Sequence, residues 1–171
     1  MLNFLFPQNS YPTSVSLMLL ALRLLFGGVM MWHGITKMAN YENLVSSFPN
    51  PLGLGSHLSL YLAIFAELFC SVGVIFGAFY RMALIPLIFT MIVAFFIIHH
   101  SQPFASKELA FIYLVIFILL FVMGAGRFSL DNIIAVRLYN DRTAVAKALV
   151  EEATARRQQG SESQVGDEPH Q

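Results

Sequence analysis

Apolar residues run along this chain in four long blocks, and the few polar residues inside them fall at helical spacing. The blocks are VSLMLLALRLLFGGVMMWHGITKM (15–38), HLSLYLAIFAELFCSVGVIFGAFY (57–80), a stretch from Met82 through PLIFTMIVAFFII to His99 and His100, and ELAFIYLVIFILLFVMG (108–124). Each holds roughly the 20 residues that carry an α-helix across the ~30 Å hydrocarbon layer of a bilayer. On the first, Arg23, Gly27, Met30, Gly34 and Lys37 share a face; on the second, Ala63, Glu67, Ser71 and Val74 do. Small residues let helix backbones approach, and polar ones belong inside a bundle rather than against lipid. These two stripes are therefore expected to face each other.

A charge at membrane depth needs a partner or a task. Counted from a common end, Arg23 and Glu67 differ in depth by about four residues, or ~6 Å of helical rise. An arginine side chain can span that offset, so Arg23 and Glu67 are expected to form a buried polar pair, either fixing helix register or contributing to a ligand or proton site.

Composition sharpens this picture. Hydrophobic residues make up 57% of the chain, with sixteen Phe and eight Met, more apolar surface than a soluble domain of 171 residues could hide. Only seven charged residues precede Arg127, whereas the last 45 residues carry thirteen. A formal net charge of zero without a basic stripe argues against nucleic acid as a partner. The single cysteine, Cys70, excludes an internal disulfide and a CxxC redox pair.

The expected fold is all-α: a polytopic membrane four-helix bundle with a cytoplasmic helical tail. Residues 1–14 read as an interfacial leader. They lack a basic stretch and a small-x-small cleavage site, so the first span is expected to be retained. Residues 15–126 form the membrane domain, 127–157 a helical segment covering DNIIAVRLYN and a second helix from Thr143, and 158–171 a polar, disordered tail. Arg81, Arg127 and Arg137 fall on the same side as both termini, against Lys37 and Lys107 on the other. The positive-inside rule then places both termini in the cytoplasm.

Candidate chemistry gathers at three levels. Near the outer face, His33, Lys37, His99, His100 and Glu108 lie at helix ends and are expected to form a polar cluster, able to cap a quinone or another lipophilic ligand by hydrogen bonding. No HxxxH or HExxH spacing marks a metal site, and none is expected. At mid-depth stand Arg23 and Glu67. At the cytoplasmic boundary, GAGRFSLD offers Gly126 to end the fourth helix, Arg127 for lipid phosphate, and Ser129 or Asp131 to cap a following helix. Phe95, Phe96 and Phe117 are expected to pack against helices or lipid, and Thr90, one turn after Pro86, to accept the task of bonding a carbonyl near the proline.

The segments RLLFGGVMMWHGITKM (23–38), LAIFAELFCSVGVIFGAFYRMAL (62–84) and GAGRFSLD (124–131), with the histidine-ended third span, resemble the DoxX family of small four-span membrane proteins over residues 17–134. That resemblance implies an inner-membrane location. It also implies that Arg23, His33, Gly34, Lys37, Glu67, Gly73, Arg81, Gly126, Arg127, Ser129 and Asp131 stand at family-patterned positions. The family's name comes from a subunit linked to thiosulfate and quinone oxidoreduction, a reaction that the resemblance does not transfer. No flavin, haem or iron–sulfur sequence is recognisable, so an independent enzyme with its own cofactor is not expected. The first expectation is a non-catalytic membrane partner or assembly subunit, contacting lipids and a membrane or cytoplasmic protein. The alternative is a quinone- or lipophilic-ligand-binding subunit of a redox complex, and a small transporter ranks lower.

Overall fold

A computed structural model describes residues 11–165. The chain enters α1 (Thr13–Ala39), passes through the one-turn helix α2 (Tyr41–Val45), and returns through α3 (Ser56–Phe76). A tight turn leads to α4 (Tyr80–Ile98), and α5 (Phe104–Met123) completes four helices long and apolar enough to cross a membrane. The protein is thus an all-helical, four-span membrane protein. Large apolar side chains such as Leu25, Trp32, Phe69, Phe76, Phe96 and Val122 stand exposed around the bundle, where lipid rather than water is the natural solvent.

α3 is the most enclosed span. Its stripe meets that of α1 as the periodicity predicts: Ser16, Leu19, Arg23, Gly27, Met30 and Gly34 are buried on α1, and Glu67, Ser71 and Val74 on α3. The glycines bring the backbones together. A methyl group at Gly34 would sit 2.6 Å from the Leu68 backbone nitrogen, and one at Gly27 2.9 Å from Ile75.

Two spans depart from ideal α geometry. A π-helical turn occupies Phe65–Cys70 on α3, and another occupies Val93–Ile98 at the end of α4. The wider turn on α3 buries Ala66 beside Glu67 and Cys70 beside Ser71, adjacent pairs that a regular helix would point about 100° apart.

The second span ends earlier than its hydrophobicity suggests. Gly77 adopts the left-handed conformation (φ 66°) and Phe79 follows at φ 46°. The break is held by Asp131, whose carboxylate oxygens accept the Phe79 and Tyr80 N–H groups at 2.9 and 2.8 Å. The Asp131 N–H in turn donates to the Gly77 carbonyl at 2.9 Å.

Helix α6 begins at Leu130 and runs unbroken to Val165, replacing the two expected segments. Of the tail expected from residue 158, residues 158–165 lie within this helix, Gly160 included, and the remainder lies outside the described residues. From Ile134 onward this helix forms a unit of its own, described apart from the bundle. It exposes Val136, Tyr139, Val145 and Leu149, and Thr143 and Thr154 bond carbonyls three or four residues back. The leader expected over 1–14 lies mostly outside the described residues; Tyr11 donates its hydroxyl to the Met123 carbonyl at 3.2 Å.

Candidate functional site: a cleft floored by Lys37 and Glu67

Glu67 is 4% exposed, and its ion-pair partner is Lys37. The expected pairing with Arg23 is not formed, and side-chain direction explains why. Side chains on a helix lean toward its N-terminus. α1 and α3 run antiparallel, so Arg23 leans toward the Asp131 end of the bundle while Glu67 leans toward the opposite end. Lys37 leans back along α1 to the level of Gly34, where the backbone of Glu67 crosses.

Arg23 has a different set of partners. Its Nε donates to the Val74 carbonyl at 2.9 Å and its Nη2 to the Ile75 carbonyl at 2.7 Å, in the last turn of α3. Nη1 donates to the Ala125 and Phe128 carbonyls at 2.7 and 2.9 Å, in the turn after α5. Its guanidinium also lies over the Tyr80 ring, 5.6 Å from the centroid. Four carbonyl dipoles satisfy a cation that is 1% exposed, and they tie α1, α3 and the 124–131 turn into one knot.

The boundary motif belongs to this knot. Ser129 donates to the Gly126 carbonyl at 2.9 Å and accepts the Asn132 N–H at 3.2 Å, so it does cap the following helix. Asp131 caps α4 instead of its own helix. Gly126 takes φ 74°, with Leu19 3.3 Å from where a methyl would stand, and Arg127 is exposed.

The Lys37–Glu67 pair lies on the wall of a cleft of about 530 Å³ between α3, α4 and the 48–52 segment. Phe48, Pro51, Leu62, Phe65, Phe89 and Met91 are among the apolar residues that line it. Thr90 and His99 add polar groups: Thr90 donates its hydroxyl to the Pro86 carbonyl at 2.9 Å, and His99 Nδ1 lies 2.9 Å from Gln102 Oε1. Both π turns contribute walls, through Phe65, Ala66 and Glu67 on one side and Val93, Ala94 and Ile98 on the other. Such turns concentrate at functional sites.

The expected outer cluster does not converge as one site. Lys37 and His99 line the cleft, whereas His33, His100 and Glu108 do not. His100 Nδ1 lies 3.1 Å from the Ile97 carbonyl and Glu108 is exposed. Among the described residues no three His, Cys, Asp or Glu side chains gather around a point that could hold a metal ion. Beyond the spans, Tyr41 bonds His57 at 3.1 Å, and its hydroxyl is pushed up to about 12, first by hydrogen bonding with Tyr61 and then by desolvation.

Sequence reasoning missed Phe48, Pro51, Ala66, Phe89 and the role of Lys37 as Glu67's partner. Phe95 meets Phe96 edge-on and Phe111 at a tilt, Phe96 is largely exposed on the outside of the bundle, and Phe117 is buried against Tyr113.

The DoxX family model matches residues 18–100, which hold Arg23, Lys37, Glu67 and the whole lining of the cleft. This stretch is a DoxX-family domain. No curated protein and no solved structure matches it. The DoxX match stops short of the GAGRFSLD turn, so Arg23 lies within the matched region while two of the carbonyls that hold it lie beyond.

Proposed function

We propose that this DoxX-family protein is a membrane subunit that binds a lipophilic molecule in the cleft floored by Lys37 and Glu67. One observation carries the reading: a part-buried ion pair borders an apolar space of about 530 Å³, within the size range of small-molecule sites. Exposed Leu62, Phe65 and Phe89 border the space on the bundle's outer surface, which suits entry from the lipid rather than from water.

A quinone belongs to the class of molecules that fits, with its ring carbonyls toward Lys37 or His99 and its tail among the apolar side chains. The residues present would bind and orient it; electron transfer would fall to a partner protein. The positive-inside bias of Arg81, Arg127 and Arg137 supports an inner-membrane orientation with both termini cytoplasmic. A role in assembly is a second reading, favoured by the 36-residue helix α6 and its exposed mixture of apolar and charged side chains.

Extraction of the chain in its native lipids, followed by mass spectrometry of the intact protein, tests the proposal. The wild-type chain should retain a lipophilic molecule at fixed stoichiometry, and Ala94→Phe, which fills the cleft, should lose it while keeping its unfolding temperature. Equal retention by both proteins would refute the cleft as the binding site.

A further inference from the structure

Resting on the proposed cleft, the unused hydrogen-bonding capacity of the ion pair narrows its ligand. Lys37 carries three N–H donors and gives one to Glu67 Oε2. Glu67 accepts at Oε2, and among the described residues Oε1 has no donor, although the side chain is about nineteen-twentieths buried. The cleft thus presents free donors and a free acceptor side by side. Among the described residues, Lys37 and Glu67 are the only charged ones that line it, and their charges cancel.

We infer that the site selects an uncharged amphiphile whose head carries a hydroxyl donor next to an oxygen acceptor, such as a glycerol monoester or an aromatic diol bearing an alkyl chain. The hydroxyl donates to Glu67 Oε1, and the neighbouring oxygen accepts from Lys37 Nζ. Thr90 and His99 line the same space and add hydrogen-bonding groups beyond the pair. A head with acceptors alone leaves the Glu67 oxygen desolvated and unmatched. A charged head brings a third charge to a pair that is already neutral, and the low-dielectric wall makes that costly. Beyond the pair, side chains such as Leu62, Phe65, Phe89 and Met91 offer no polar complement and take the chain of the ligand.

The test uses the unaltered protein in phosphatidylcholine nanodiscs and a diazirine-bearing monoacylglycerol as photolabel, with labelled peptides mapped by mass spectrometry. Competitors of equal chain length are the unlabelled monoacylglycerol, an alkyl hydroquinone, the methyl ester, an alkyl sulfonate and an alkyltrimethylammonium. Labelling should fall on the peptides that contain Glu67 and Phe89. The monoacylglycerol or the hydroquinone should compete at concentrations at least about tenfold lower than the other three, the penalty for one unmatched buried polar group. Whichever of these two competes better identifies the ligand as a glycerol lipid or an aromatic diol. Competition by the ester, sulfonate or ammonium within threefold of both hydroxyl compounds overturns the inference about the head and leaves the cleft as a binding site. Labelling that spares the cleft, or that no competitor reduces, overturns the binding site as well.

Discussion

Lys37 and Glu67 pair because each leans toward the other along antiparallel helices, while Arg23, fourteen residues earlier on the same face as Lys37, leans away. One stripe of α1 therefore delivers two cations to two tasks. Lys37 balances a carboxylate on the wall of a cleft, and Arg23 gathers carbonyls at the opposite end.

The pair should respond asymmetrically to mutation. The Lys37 side chain is 26% exposed and can swing outward when its partner is lost, whereas Glu67, at 5%, cannot leave. Lys37→Met is expected to destabilise the protein by about 2–3 kcal/mol and Glu67→Gln by less, with the double replacement Lys37→Met and Glu67→Leu milder than Lys37→Met alone. Reversible unfolding in lipid–detergent mixtures measures all three.

Arg23→Lys should fail to rescue the fold even though it keeps the charge. A lysine ammonium has three donors on one nitrogen and cannot address carbonyls on α3 and in the 124–131 turn at once. A loss of about 2–4 kcal/mol is expected for Arg23→Lys, close to that of Arg23→Met, read from the same unfolding curves.

Glycine replacements should separate contact from mere presence in a helix. Gly34→Ala places a methyl 2.6 Å from the Leu68 nitrogen, and backbone cannot yield as a side chain can. It should part α1 from α3, weaken the Lys37–Glu67 contact and lower the unfolding temperature. Gly28→Ala meets nothing within 4 Å and should be neutral or slightly stabilising, by up to the ~1 kcal/mol that alanine gains over glycine in a helix.

Asp131→Asn should loosen the turn between α3 and α4. It retains one acceptor for two N–H groups and loses the charge that favours a helix N-terminus, at a cost of about 1–2 kcal/mol. Faster hydrogen exchange at Phe79 and Tyr80, with Leu114 and Phe117 unchanged, is the expected signature.

Much of the bundle was legible because lipid enforces a simple code. Blocks of some 20 apolar residues gave the four spans, and the spacing of Arg23, Gly27, Met30 and Gly34 gave the buried face of α1. The partners of the charges were harder to read. Depth counted by Cα position put Arg23 near Glu67, and the lean of side chains toward helix N-termini, equally available from the sequence, would have separated them. A ligand site near Glu67 or His99 was an expectation of the sequence, but the shape of the cleft was not legible: its walls come from π turns with no residue signature, and its rim from the 48–52 segment of the loop between α1 and α3, whose prolines and glycines leave no periodicity to read. The double cap by Asp131 joins residues 51 and 52 positions apart, a long-range contact that no local pattern encodes.

Where the Glu67 carboxylate sits is decided most directly by solid-state NMR in bilayers, using the dipolar coupling between its labelled side-chain carbon and the side-chain nitrogens of lysine or arginine. The expected result is a strong coupling to the Lys37 ammonium that disappears in Lys37→Met, with none to a guanidinium. Coupling to the Arg23 guanidinium, or to neither cation, would contradict both the pairing and the cleft built around it.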